Sequence, residues 1–308
     1  MVIGAGIVGL TSALRLQQAG HQVEVQAAEF TEHTTSAVAA ALWYPYRALP
    51  ERSVTRWSAI GFTVLRGLTD DARSGVRMRT GWQLFREPTP DPWWIDAIDS
   101  LGRVPDTALP AGYLDGYELT VPVVDMAVHL PWLQRSLTEA GIIFQQRRIV
   151  DLDEAGAGYD AVVNCAGLGA GPLGDDGSVV PVRGQVIVIE QIGLDRWLLD
   201  EGATLTYVVP RNDTILLGGT AEEGDDDSTV RSDTAAAIMQ RCAALVPELR
   251  DAQVLNHKVG LRPGRPTVRL ELQARASGPV VHCYGHGGAG VTLAYGCAED
   301  VVGLIDQL

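Results

Sequence analysis

The residues best equipped for chemistry fall in a few short runs. Gly4-Ala5-Gly6-Ile7-Val8-Gly9 has the spacing G-x-G-x-x-G and sits between an apolar pair and a helical pattern. In such a turn Gly4 permits the sharp reversal and Gly6 lets backbone approach a pyrophosphate. Gly9 lets the helix lie close to the strand, and the helix N-terminus faces the phosphates. Glu29 follows Gly9 by 20 residues, where an acid meets a ribose 2′-hydroxyl. Strand, turn, helix and acid in register predict a dinucleotide site built on Gly4, Ala5, Gly6, Ile7, Val8, Gly9 and Glu29. The fingerprint leaves NAD and FAD both open.

A second run, Gly260-Leu261-Arg262-Pro263-Gly264-Arg265-Pro266, carries two prolines and two glycines. It is expected to form a stiff, non-helical turn that holds a guanidinium in place. A planar guanidinium grips a carboxylate through two parallel hydrogen bonds, so Arg262 is a substrate-binding candidate. A third run, from Tyr284 to Thr292, is a glycine turn feeding the last helical pattern.

The elements that must carry these runs follow from periodicity. Val2-Ile3 ends a buried strand, Leu10, Ala13, Leu14 and Leu16 line one helical face, and Val23–Val25 resumes as a strand, which together make a βαβ unit. Thr55–Leu68 reads as a helix, Trp82–Phe85 and Tyr117–Val123 as strands, and Asp125 as the cap of a helix ending near Gly141. Ile142–Phe144 and Ala161–Asn164 add parallel strands. Gly184–Glu190, Leu205–Val209 and Thr214–Leu217 are strands, with Pro210–Asp213 a hairpin turn. Asp233–Leu245 is a helix, Val280–Cys283 a strand, and Gly290–Gln307 the final helix. The fold class is therefore α/β. A Rossmann-like parallel sheet takes residues 1–48, 139–180 and 258–308, interleaved with a largely antiparallel α+β substrate domain of residues 49–138 and 181–257.

Composition narrows the function classes. Apolar residues make up 46% of the 308, enough for a real core. No run of 18 apolar residues predicts a membrane span. A formal charge of -14 with one lysine, Lys258, argues against nucleic acid, which needs a cationic patch. Asp225-Asp226-Asp227 reads as a solvated loop. The six histidines offer one i, i+4 pair, His282 and His286, with no third ligand in sequence, so no metal is expected. Cys165, Cys242, Cys283 and Cys297 lack any CxxC spacing and read as reduced thiols, with a Cys242–Cys283 bridge left open. Without a basic or long apolar leader before Gly4, a cytoplasmic protein is expected. The oligomeric state is open, a homodimer being the assembly entertained.

The run Thr34-Thr35-Ser36-Ala37-Val38-Ala39-Ala40-Ala41-Leu42-Trp43-Tyr44-Pro45-Tyr46 resembles the segment that follows the fingerprint in D-amino-acid oxidases. Val163–Gly167, Arg183-Gly184-Gln185, Gly260–Pro263 and Tyr284–Thr292 resemble that family's later motifs, in the same order. The resemblance implies FAD as cofactor, molecular oxygen as acceptor and a D-amino acid as donor, giving a 2-oxo acid, ammonia and hydrogen peroxide by hydride transfer to flavin N5. Thr34, Thr35 and Ser36 then face the diphosphate, Ala39–Ala41 and Leu42 lie along the ring, and Ile149 touches the adenine side. The amides around Gly287, Gly288, Gly290, Val291 and Thr292 meet the flavin's pyrimidine edge, where a helix N-terminus of roughly half a positive charge stabilises the reduced ring.

By the same resemblance the carboxylate clamp falls on Arg262, with Arg265 structural, Tyr207 joins Arg262 on the substrate carboxylate, and the Gly288 carbonyl accepts from the amine. No general base is needed when the amine is neutral, so His286 is assigned a structural role. The sequence departs from the mammalian pattern at Ala203, where a second tyrosine is expected, and Leu198–Thr206 is too short for a long lid. A more open pocket follows, lined by Leu42, Tyr44, Tyr46 and one of Trp82, Trp93 or Trp94. The neighbouring readings are a glycine, sarcosine or D-aspartate oxidase of the same fold, the last needing Arg183 or Arg211 to swing in. An NAD-dependent dehydrogenase and a non-catalytic nucleotide-binding subunit are more distant ones.

Overall fold

The computed structural model describes residues 1–308. Its first elements are β1 (Val2–Ile3), α1 (Ile7–Gln18) and β2 (Glu24–Ala27), followed by α2 (Glu51–Gly67), β3 (Val76–Phe85), β4 (Gly102–Arg103), β5 (Asp115–Val124) and α3 (Met126–Glu139). The chain returns through β6 (Ile143–Gln146), α4 (Leu152–Gly156), β7 (Val162–Asn164) and α5 (Ala170–Leu173). It then builds β8 (Val180–Glu190), β9 (Trp197–Asp200), β10 (Thr206–Pro210), β11 (Thr214–Gly218), β12 (Glu222–Glu223) and α6 (Ser232–Leu245). The last elements are β13 (Val254–Gly264), β14 (Arg269–Arg275), β15 (Gly278–Tyr284) and α7 (Gly290–Ile305).

Two sheets result. The six-stranded sheet has the order β14-β15-β7-β1-β2-β6 and is parallel except where β14 pairs β15. Its α/β character follows from strands such as Val2-Ile3 and Val162–Asn164 that are buried throughout, as parallel strands covered on both faces must be. α1 and α7 cover one face, with α2 packed on α7. The helical stretch Gly287–Ile305, which contains α7, has the length and composition to cross a bilayer, yet nine residues of α7 are buried in the protein core.

The nine-stranded sheet runs β12-β8-β11-β10-β9-β3-β5-β4, with β13 on the other side of β8. Its pairs are antiparallel except β3 with β9. Strand alternation divides its side chains. Leu198, Val208, Ile215, Leu217, Ile187 and Ile189 pack toward α6. Leu199, Tyr207, Val209, Leu216 and Val186 turn to the opposite face and join the main core. Tyr207 therefore faces the other sheet because of its parity on β10.

Two expectations change here. The Gly260–Pro266 run is no turn up to Gly264: it is the end of β13, paired with β8 in unbroken register from Asn256↔Val188 to Gly264↔Val180. Pro263 is tolerated because β13 is an edge strand, where a missing N–H breaks no second ladder. The domain boundary drawn at residue 258 consequently falls inside β13, and sheet membership passes over only after Gly264. The cysteines are all buried and unpaired. Cys242 lies on α6 against the Tyr207 and Gly218 carbonyls, away from Cys283 on β15, so that bridge does not form.

Candidate active site

Between the two sheets lies a cavity of about 440 Å³. One part is the fingerprint turn. A Cβ on Gly9 would stand 1.9 Å from the Gly4 carbonyl oxygen, and one on Gly4 2.4 Å from that of Cys165. Helix α1 is thereby held against β1 and β7 with its first turn open to the cavity. Gly4, Ala5, Gly6, Ile7 and Val8 line that cavity; Gly9 lies outside the lining and acts through packing. Exposed Glu29 and half-buried Ile149, just beyond Arg147 and Arg148, line it too.

Thr34, Thr35 and Ser36 line the cavity, but their hydroxyls are already engaged. Thr34 donates to the Thr31 carbonyl at 2.7 Å and Thr35 to the Leu261 carbonyl at 3.2 Å. Ser36 Oγ accepts from the Ile7 amide at 3.0 Å, which leaves its proton for a ligand. Of the three expected hydroxyl donors, Ser36 alone keeps that capacity. Ala41, in a left-handed conformation at φ 55°, and Leu42 line the wall, as do Gly287, Gly288, Gly290 and Val291 at the start of α7. Thr292 does not: its hydroxyl is exchanged with the Tyr44 backbone at 3.0 Å in both directions, fixing the wall.

These residues fit FAD. The amides at the start of α1, the Ser36 hydroxyl and the Glu29 carboxylate match a diphosphate and a ribose. The small residues at Ala39–Ala41 and the glycines at 287, 288 and 290 leave bare backbone for a flat ring.

Arg262 and Tyr207 line the same cavity. The guanidinium lies across the bare backbone of Gly184 on β8, where a Cβ would come within 2.4 Å of both Nη atoms. Nη1 donates to the Thr220 carbonyl at 2.9 Å, and no carboxylate of the protein pairs with it. Tyr207 packs on Gly218 and Gly219, where a Cβ at Gly218 would meet its Cζ at 2.1 Å. Burial raises the Tyr207 pKa and the nearby Arg262 charge opposes that rise. Gly288 sits beside Arg262, under the Tyr46 ring and 3.6 Å from Arg262 Cδ measured from its notional Cβ. Three residues distant in sequence thus line one cavity, with a guanidinium, a hydroxyl and a bare backbone. Arg265 pairs with Asp176 at 2.8 Å, consistent with a structural part.

Other expectations meet a different geometry. Arg183 is fully buried and bonded to Glu222 at 2.7 Å, to Gln185 and to two carbonyls. Arg211 is held by the Ala39 carbonyl at 2.8 Å. Neither lines the cavity. None of Trp82, Trp93 and Trp94 lines it either; Trp94 instead stacks edge-on behind Tyr44, centroids 5.4 Å apart. His286 lines it, and burial pushes its pKa down to about 4, which keeps it neutral. Tyr46 lines it with a buried hydroxyl that has no partner. Sequence reasoning passed over Gly184 and Gly218, although a glycine inside a strand pattern is itself a signal of close approach. It also passed over Gln83 and Glu201, which carry no such signal.

The chain matches the model of the FAD dependent oxidoreductase family over residues 1–304. A D-amino-acid oxidase of Rubrobacter xylanophilus is 49% identical over 308 residues, covering 99% of this chain and 94% of its own. A D-amino-acid oxidase of Streptomyces coelicolor is 43% identical over 315 residues, covering 99% and 95%. Among solved structures, glycine oxidase from Geobacillus kaustophilus superposes with a TM-score of 0.85 at 17% identity, covering 99% of this chain and 94% of that one. That likeness is one of fold.

Proposed function

This chain belongs to the FAD dependent oxidoreductase family, and from that premise we propose that it oxidises a D-amino acid with molecular oxygen and water to a 2-oxo acid, ammonia and hydrogen peroxide. The observation that carries the reading is the guanidinium of Arg262, free of any protein carboxylate in a cavity that also holds the dinucleotide fingerprint. The similarity to two D-amino-acid oxidases at 49% and 43% identity supports the donor class.

The fingerprint, Glu29, Ser36 and the α7 turn would hold FAD, which would supply a two-electron acceptor that oxygen can reoxidise. The protein's own work is positioning. Arg262 takes the α-carboxylate through charge-assisted hydrogen bonds, with the Tyr207 hydroxyl as a second donor. The Gly288 carbonyl accepts from the amine, which fixes a second substituent and presents one face of Cα to the wall formed by Ala39–Leu42 and the α7 turn. With carboxylate and amine held and the Cα hydrogen facing that wall, the side chain has one direction left, which defines handedness. No side chain is required to remove a proton from carbon when the amine arrives neutral, in accord with a neutral His286. Arg183 and Arg211 are committed to protein partners and do not line the cavity, so neither faces a second substrate carboxylate there. Four unpaired cysteines support a reducing, cytoplasmic setting.

The test is a peroxide-coupled assay of D- and L-enantiomers with the purified protein, alongside its visible spectrum. Flavin absorbance with peroxide from D-alanine and none from L-alanine is expected. Flavin-bearing protein that turns over only L-enantiomers, or only glycine and sarcosine, refutes the reading.

A further inference from the structure

Behind one wall of the cavity lies a polar cluster outside the machinery just described. Tyr44 lines the cavity, but its hydroxyl is turned away and donates to Glu201 Oε2 at 2.5 Å. Gln83 Nε2 donates to both, at 2.7 Å to the Tyr44 oxygen and 3.0 Å to Glu201. Glu201 opens the link between β9 and β10, and Leu199 and Leu205 on either side of it line the same cavity.

Glu201 has two hydrogen-bond donors, Tyr44 and Gln83, and no ion-pair partner in contact with it. Burial raises its pKa, opposed by the Tyr44 hydrogen bond and by Arg47, and reinforced by Asp200. Asp200 is itself held by Arg86 at 2.9 Å and Tyr113 at 2.6 Å, so Arg86 is already committed. Arg47 is exposed, its guanidinium 5.3 Å from the Tyr46 ring centroid. The arginines that line the cavity are Arg147, Arg148 and Arg262; the first two lie in the stretch before Ile149, and Arg262 is committed to the α-carboxylate.

We propose that Glu201 is a specificity-determining residue, which fixes Tyr44 in the cavity wall and turns away D-amino acids bearing a side-chain carboxylate. The inference deepens, and rests on, the reading of the site as one for D-amino acids. Specificity of this kind comes from a repulsive element built against the wrong ligand. Two carboxylates one tyrosine ring apart in partly desolvated surroundings repel enough to change relative kcat/KM by about tenfold or more.

The experiment compares D-asparagine with D-aspartate, which differ in charge and hardly in shape. The wild type is expected to prefer D-asparagine. Glu201→Gln keeps an acceptor for the Tyr44 hydroxyl and removes the charge, so the preference should fall by about tenfold. Tyr44→Phe removes the hydroxyl and keeps the carboxylate, so the preference should stay within about threefold of wild type even if both rates drop. A Glu201→Gln enzyme that oxidises D-asparagine with an unchanged preference overturns the proposal. So does a Tyr44→Phe enzyme that loses the preference as fully. Should Glu201→Gln fail to fold, the wild type alone still decides against it by using D-aspartate as well as D-asparagine. A wild type that oxidises D-asparagine but fails these comparisons refutes the role of Glu201 only. A flavin-bearing wild type inert toward every D-amino acid removes the underlying reading, and this proposal with it.

Discussion

Arg262 can serve as a clamp because of what its neighbours lack. Gly184 has no side chain, and the guanidinium occupies the space one would fill; no acid competes for it. Gly184→Ala should therefore displace the guanidinium without removing its charge. We expect kcat/KM for D-alanine to fall by about tenfold or more, mostly through KM, as a bidentate charge-assisted contact is lost, while flavin absorbance is kept. Wild-type KM in that variant would dissociate Gly184 from the clamp. At this scale the sequence was informative about Arg262, which sits in a recognisable motif, and about Tyr207 only through the family resemblance. It was silent on Glu201, whose meaning depends on Tyr44 and Gln83 arriving from two other elements.

Glycines in the helices show how an element is positioned by what it touches. In α1, Gly9 presses on the Gly4 carbonyl at a distance no Cβ tolerates, so Gly9→Ala must push the helix N-terminus off β1. We expect such protein to be purified with less than half the wild-type flavin absorbance and a lower Tm. Gly67, at the end of α2 with φ -61° and ψ -30°, is exposed and has nothing within 4 Å of a notional Cβ. Gly67→Ala should raise stability by about 0.5–1 kcal/mol in a denaturant titration, because alanine loses less backbone freedom on folding. The five longer helices and most strands were legible from periodicity. β13 was not, since two glycines and two prolines signal a turn, and only the long register with β8 overrides that signal.

Across the molecule, one carboxylate ties the two sheets together. Asp176, between α5 and β8, accepts from Arg265 just beyond β13 at 2.8 Å and from the Tyr284 hydroxyl at the end of β15 at 3.0 Å. These partners, with Ser178, hold its pKa far below the usual carboxylate range despite burial. A carboxyl depressed in the folded state adds stability that is full above its unfolded pKa of about 4 and is lost as pH falls toward the folded value. Asp176→Asn should cost about 1–3 kcal/mol near neutral pH, as for loss of a buried charged hydrogen-bond acceptor. Its Tm deficit against wild type should shrink steadily below about pH 4. A deficit independent of pH would locate the effect in packing instead of charge.

The linear chain determined the classes of element and the dinucleotide turn, because glycine spacing, apolar periodicity and caps act within a dozen residues. With the family resemblance it also singled out Arg262 as the proposed partner of a carboxylate. Only the folded molecule decided which hydroxyls remain free, which arginines are locked, and which bare backbone each functional side chain rests upon. Those outcomes depend on atoms that approach from strands far apart in sequence. A hydrogen bond taken by one partner is no longer available to another, and that competition is settled in three dimensions.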